Sequence, residues 1–536
     1  MIRAELRSAI AASAARLFGK EQVPDFSLEA PENPEHGDYA ANIALLLAKK
    51  LGKNPLEVAD ALAADLKNSQ WAASVAGPGF LNFKISPMFL EKEFKEILKR
   101  KEKYGSAPAK SKKIQVEFIS ANPTGPLTLA NGRGGFLGDA LANIFLRAGY
   151  KTEREYYVND AGNQIVTLGK SLLAVAGVIP EEEQFYKGEY IKTWAAGHAS
   201  IIKKFKNNPE SLGKAAAEDF LKNIKKVIEK KSGIRFDRYT SEDRDIHKKG
   251  FAKKAFELFQ KKGLMYEKEG AQWLKTTDFG DDKDRVLMTS EGYPTYFLAD
   301  AGHYLETKLR KFDAKINIVG PDHYGYVKRI QAAAEIIGLE ESEVIVTQAI
   351  RLMHGTEEVK MSKRKGEFVE FEELVDEVGH DTARYFFLEK SPHTHIDFDL
   401  NLARERSTKN PVYYIQYAYV RAQSILKKAE SSRPKSKRAG AKKTLELLQT
   451  VEERALVKKL IQFPEIIEDT AKDFAVHRVT RYLLLLARAF HNFYEKNRVI
   501  TADADLTRAR IELDKAVVIV LGIALDVLGV SKPKKM

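Results

Sequence analysis

The chain has 536 residues, 44% hydrophobic and 30% charged, a composition of ordinary globular protein with room for several domains, each burying its own core. It contains no cysteine, which excludes disulfides, zinc–thiolate sites and thiol nucleophiles and fits the cytoplasm. The net charge of +13 favours a polyanionic partner, with nucleic acid ahead of lysines merely scattered on solvated faces.

The opening stretch, to about Ser86, mixes helix and strand. Ile2, Leu6, Ile10, Ala14 and Leu17 recur at helical spacing, and Glu5 argues against a transit peptide, so the first 18 residues read as an amphipathic helix. Ala41 to Leu51 has the same period. Asn54-Pro55 opens a further helix, and Ala76-Gly77-Pro78-Gly79-Phe80 is a turn entering a strand. A charged helix is predicted from Pro87 to Tyr104. Gly105 to Lys113 is small, basic and proline-containing, which marks a linker.

At Ile114 the pattern changes. Ile114, Val116 and Phe118 alternate with polar neighbours as a strand, a Gly/Pro-rich loop follows, and Gly134 to Gly149 has helical spacing. Strand, glycine-rich loop and helix open a doubly wound nucleotide-binding fold. A phosphate needs backbone N–H donors and positive charge; a turn at Gly132 to Gly135 would present such a helix end, with Thr128 and Asn131 beside it. Glu155 to Val158 is the next strand, and about 162–262 reads as a long, lysine-rich helical insert. Asp278, Asp281, Asp282 and Asp284 alternate with Lys283 and Arg285, a salt-bridged turn ahead of a metal cage. His323, His354, His380, His393 and His395 are scattered, and no metal site is expected. Strands return at Ile316 to Gly320 and Val344 to Ile350. Then comes the lysine loop Lys360-Met361-Ser362-Lys363, whose mobile ammonium groups suit a departing pyrophosphate, and a helix starting near Glu370.

Beyond Ala403 only helical patterns remain, interrupted by the basic, serine- and proline-containing stretch Lys427 to Lys443, either a solvated connection or an RNA contact. Tyr413, Tyr414, Tyr417, Tyr419 and Arg421 cluster within nine residues, where unpaired bases could stack, or where at least Tyr413 and Tyr417 are core. The apolar run Ala516 to Gly529 holds Asp526 and is too short for a bilayer, so no membrane association is expected.

These motifs, in this order, resemble the bacterial-type arginyl-tRNA synthetases of class I from end to end. Ala121 to Asn131 is similar to their HIGH region, and Lys360 to Lys363 reads KMSK unchanged. Glu155-Tyr156-Tyr157-Val158-Asn159-Asp160-Ala161-Gly162, Thr276 to Arg285, Asn410 to Ala418 and Leu528 to Pro533 are also typical, as are Gly37 to Asn42 and Ala76 to Asn82 near the start. The resemblance implies an α/β fold: a Rossmann-like doubly wound catalytic domain, a small α+β N-terminal domain and an all-α C-terminal bundle. Its implied divisions are a tRNA-binding N-terminal domain at 1–88 and a linker helix and basic linker at 89–113. A catalytic domain at 114–375, with its insertion at about 162–262, a stem-contact connection at 376–403 and a helical anticodon-binding domain at 404–536 complete the chain.

The resemblance further implies a reaction, ATP-dependent activation of L-arginine and its transfer to tRNA(Arg), with Mg2+ carried by the nucleotide and a monomeric enzyme that needs tRNA present for activation. Glu117, Ser120, Asn122, Tyr296, Asp300 and His323 match arginine-binding positions, although Glu117 also reads as a buried strand acid held by a lysine. Pro123, Gly125, Thr128, Ala130, Asn131, Gly132, Met361, Ser362 and Lys363 match the ATP site, and Thr128, Asn131, Lys360 and Lys363 the catalytic positions. Tyr413, Tyr417 and Arg421 fall in the tRNA-binding region. One departure is plain. The family's histidine–apolar–glycine–histidine tetrapeptide reads Thr128-Leu129-Ala130-Asn131, with hydroxyl and amide for two imidazoles and a methyl where glycine lets adenine lie flat. A non-ligating paralogue that senses tRNA or arginine is the alternative this departure raises.

Overall fold

The computed structural model describes residues 2–31, 33–358, 369–431 and 443–536. The helix Ile2–Phe18 buries Ile2, Leu6, Ile10 and Ala14 of the face its spacing predicts, while Leu17, expected on the same face, is exposed near the helix end. It packs with the helices Ile43–Leu51 and Pro55–Asp65 on an antiparallel sheet. That sheet comprises β1 (Leu28–Glu29), β2 (Tyr39–Ala41), β3 (Trp71–Ala76) and β4 (Phe80–Ile85), in the order β1-β2-β4-β3. Asn54 caps the third helix, its side chain accepting the Leu56 N–H, with Pro55 at the first helical position where no donor is lost. The helix Pro87–Arg100 leads out of this unit.

The central sheet is parallel. It takes β5 (Lys113–Glu117), β6 (Lys151–Val158) and β7 (Arg238–Ser241) in succession on one side. β8 (Met265–Lys268), β9 (Ala271–Leu274) and β10 (Arg285–Met288) then form a separate antiparallel sheet, and the chain returns as β11 (Ala314–Val319) and β12 (Glu341–Val346). The order is β12-β11-β5-β6-β7, so the winding reverses between β5 and β11. In such sheets ligands bind outside the carboxyl ends at the reversal. β13 (Ile350–His354) pairs antiparallel with β14 (Glu357–Glu358) and parallel with β15 (Ile396–Asp399) in a further small sheet.

Two expectations are corrected here. The helix after β5 starts at Leu129, so Gly132, Gly134 and Gly135 lie inside it and form no turn. The capping box of Thr128 and Asn131 starts the helix earlier than the glycines suggest, and the glycines serve close packing. A Cβ at Gly132 would come within 2.1 Å of the Phe371 ring, and one at Gly138 within 2.2 Å of Phe118. The stretch at about 162–262 is not wholly a helical insert either. Helices Asn163–Val175 and Pro209–Val227 pack against each other, but β7 is the edge strand of the central sheet. Four residues are too short to show a period against lysine-rich flanks. By contrast, Asp281 and Asp282 do pair with Arg285 (2.7 Å for Asp281), the salt-bridged turn read from the sequence.

After β15 the described residues are helical. Pro411–Ser431, Val451–Ile461, Phe463–Asp473, His477–Lys496 and Ala504–Leu528 form the closing bundle. Among the described residues no helix is long and apolar enough to cross a membrane. The bundle docks on the N-terminal unit through Arg3, which pairs with Asp469 at 2.6 Å, and through the Tyr39 hydroxyl, which donates to Glu465 at 2.7 Å.

Candidate active site

A cavity of about 550 Å3 opens at the reversal point, between the carboxyl ends of β5 and β11 and the start of helix Leu129–Arg147. It gathers nine residues named from the sequence. Glu117, Ser120 and Asn122 come from the end of β5 and the loop after it, and Thr128, Ala130 and Asn131 from the helix start. Tyr296 and Asp300, one turn apart on helix Tyr296–Leu309, join them, as does His323 from the short 3-10 turn Pro321–Tyr326. Other residues expected at the nucleotide lie elsewhere. Pro123 is buried, Gly125 lines a second cavity of about 1390 Å3 beside Tyr190, and Gly132 packs under Phe371. Those three glycine and proline positions shape the loop and its packing and do not line the site. Lys360, Met361, Ser362 and Lys363 lie outside the described residues. The neighbouring Glu370 forms a bridge with Thr128, and the Phe371 N–H donates to the Leu127 carbonyl at 2.8 Å.

The chain leaves β5 through two left-handed residues, Ile119 (φ 66°) and Ser120 (φ 37°). A β-branched residue there is strained, by about 1–3 kcal/mol, the kind of backbone found at ligand sites. The turn puts Ser120 Oγ where it donates to Glu117 Oε1 at 3.2 Å and accepts the Tyr157 N–H at 3.1 Å. Asn159 Nδ2 donates to Asn122 Oδ1 at 2.9 Å.

Glu117 is a buried strand acid held by a lysine, one of the two readings the sequence allowed, and it also faces the cavity. Lys315 on β11, fully buried, sits 2.8 Å from its Oε2. Behind it, Lys315 also lies 3.6 Å from Glu155, and His303 Nε2 lies 3.2 Å from Glu155. Burial opposes the Glu155 charge, but His303 and Lys315 outweigh it and hold that carboxyl well below its usual range. Glu117, Glu155 and His303 converge closely enough to ligate a metal, yet the Lys315 ammonium already fills that role as a fixed cation. Asp300 has the opposite environment. Burial pushes its carboxyl up to about 7, partly offset by the Tyr326 hydroxyl that donates to it.

Sequence reasoning assigned no role to Tyr157, Lys315, His303, Tyr326 or Glu242. Tyr157 sits in a quoted motif. Lys315, His303 and Tyr326 are brought in by pairing β11 with β5 and packing the flanking helices, and Glu242 by pairing β7 with β6, which no local pattern announces.

In the helical tail, Tyr413 and Tyr417 stack at 6.4 Å with planes 8° apart, both half-buried, and Arg421 lies over Tyr417 at 5.1 Å and over Tyr494 at 5.0 Å. Tyr419 is buried.

The family model described as the catalytic domain of class I (R) tRNA synthetases matches residues 93–405. The arginine–tRNA ligase of Citrifermentans bemidjiense is 42% identical over 533 residues, covering 96% of each chain. The chain belongs to the arginyl-tRNA synthetase family. Models for the arginyl-tRNA synthetase N-terminal domain and the DALR anticodon-binding domain match residues 4–85 and 415–536. The arginine–tRNA ligase of Syntrophotalea carbinolica is 38% identical over the whole of both chains. The solved Thermus thermophilus arginyl-tRNA synthetase shares the fold, with a TM-score of 0.79 over all of both chains at 22% identity. Membership in the arginyl-tRNA synthetase family gives the reaction: ATP-using ligation of arginine to tRNA on a class I catalytic domain, with a helical anticodon-binding domain behind it.

Proposed function

We propose that the cavity between β5 and β11 is where this ligase makes arginyl-adenylate. A carboxylate oxygen of L-arginine attacks the α-phosphorus of ATP, the bond to pyrophosphate breaks, and the 3′-terminal ribose of tRNA(Arg) then takes the arginyl group with release of AMP. One observation carries the assignment. Glu117 and Asp300, two carboxylates suited to a planar cation, face the same chamber as the N-terminal end of the helix that Thr128 and Asn131 cap. Glu117, Asp300, Ser120, Asn122, Tyr296 and His323 hold arginine. Ala130 and Asn131 lie against the nucleotide, and Thr128 positions Asn131. Lys360 and Lys363 follow the charge of the departing pyrophosphate, with Met361 and Ser362 forming the rest of that loop.

Mg2+ enters with the nucleotide's phosphates. The buried acid–histidine cluster behind Glu117 is filled by Lys315 and is not its site, so no step is assigned to protein ligation of the metal. The enzyme works in the cytoplasm as a monomer. Its N-terminal domain, residues 1–88, and helical domain, residues 404–536, grip tRNA, joined to the catalytic domain by the linker at 89–113 and the connection at 376–403, and Tyr413, Tyr417 and Arg421 offer a stacking column to unpaired bases. Pyrophosphate exchange tests the reading. It should be strong with ATP, arginine and tRNA together and weak without tRNA, and exchange driven better by lysine or glutamate would overturn it.

A further inference from the structure

We propose that the Tyr157 hydroxyl reads the substrate, accepting an N–H of the bound arginine's guanidinium; this deepens the arginine reading above and rests on it. Tyr157 is 4% exposed and lines the cavity. Its hydroxyl is buried and has no hydrogen-bond partner among the described residues. A buried polar group left unpaired destabilises a fold, so natural structures keep few of them. This one stands among Glu117, Asp300 and Glu242, which line the same cavity and whose charges, with burial, drive the phenol well above its ordinary range. It therefore stays a neutral O–H.

The ring has no freedom to find a partner elsewhere. Its backbone N–H is bound to Ser120 Oγ, and its face stacks on His303 at 4.3 Å with planes 22° apart. His303 is itself held by Glu155 and, at 3.7 Å, by Glu117. The result is a fixed oxygen beside three carboxylates. A phenol so placed offers its lone pairs to a guanidinium, which has five N–H donors in one plane. An ammonium has only three donors, all at one point, to share among the carboxylates and this oxygen. The hydroxyl is thus a specificity-determining group, paired only when arginine is bound.

Tyr157→Phe tests this, because it removes one atom. Arginine binding by calorimetry is measured beside ATP binding, tRNA charging and thermal unfolding of the free protein. Arginine affinity should fall about ten- to a hundredfold, as for loss of a bond to a charged group. ATP affinity should stay within twofold, and the unliganded protein should melt at the same temperature or higher, since an unpaired buried hydroxyl is gone. Arginine affinity within twofold of the parent overturns the proposal. So does a variant that melts lower or fails to fold, which would make the hydroxyl structural. A parent that binds arginine but charges no tRNA would defeat the ligase reading and leave the calorimetric test of Tyr157 standing.

Discussion

Thr128 and Asn131 close on each other across the first turn of helix Leu129–Arg147: the backbone N–H and the hydroxyl of Thr128 both donate to Asn131 Oδ1, each at 2.9 Å. A backbone donor requires oxygen, so the amide is oriented, and its Nδ2 makes no hydrogen bond among the described residues. The pair that replaces two imidazoles is therefore a helix cap and a donor at once. Thr128 is spent on the cap, and in the proposed reading the Asn131 amide serves the nucleotide.

Asn131→Asp separates those two jobs. A carboxylate still accepts from Thr128 but has no donors and adds negative charge beside phosphates. Thermal stability should hold while kcat/KM for ATP falls by about 1.5–3 kcal/mol of transition-state binding. Asn131→Ala should lose the same activity and also about 1 kcal/mol of capping. Equal ATP kinetics in Asn131→Asp and the parent would assign this residue to the cap alone.

Arginine binding should depend on pH through Asp300. Its carboxyl is raised to about 7 by burial, with the Tyr326 hydroxyl working the other way. The guanidinium needs the ionised form, so kcat/KM for arginine rises as pH climbs through about 7 and falls below it, by up to tenfold per pH unit. Tyr326→Phe removes a bond that favours the charge, so the acid limb should move to higher pH. A limb that stays put, or moves down, contradicts the assignment.

Arg133 is 1% exposed and donates to the carbonyls of Gln348 (2.6 Å), Ser391 (2.9 Å) and Thr394 (2.8 Å). Without a carboxylate partner, burial pulls its guanidinium down to about 10. It bolts the capped helix to the segments on either side of the lysine loop. Arg133→Met strands three carbonyls and should cost about 3 kcal/mol or more in denaturant unfolding. A loss under about 1 kcal/mol would show that water satisfies those groups instead.

The tyrosine column makes a paired prediction. Tyr413 is half-buried, so Tyr413→Ala should leave the melting temperature nearly unchanged and raise the KM for tRNA about tenfold, as for one lost stack. Tyr419 is 8% exposed against Gly522, and Tyr419→Ala should destabilise the fold by about 3–5 kcal/mol. Destabilisation by the first variant would make the column core.

The fold was legible wherever a period or a cap ran long enough to read. Ile2 to Phe18 kept its apolar face except Leu17, Asn54-Pro55 did open a capped helix, and the tail beyond β15 is helical. β7 was lost because four residues carry no period. The glycines after Asn131 misled because glycine marks both turns and close helix packing, and the packing partners that distinguish the two, such as Phe371 against Gly132 and Ile318 against Gly134, come from distant parts of the chain. The same holds in the site. Residues in contiguous motifs, such as Glu117, Thr128 and Asp300, do line one cavity. Lys315 and His303 act through pairing of distant strands and packing of a helix, and no local spacing reports that.

Direct charging of tRNA(Arg) by the purified full-length chain, with ATP, arginine and magnesium, tests the central claim that a Thr–Asn cap serves this ligase as well as histidines would. Arginyl-tRNA should form at steady turnover, and its formation should be lost in Asn131→Asp with the fold intact. Tight arginine binding with no arginyl-tRNA formed at any tRNA concentration would contradict it.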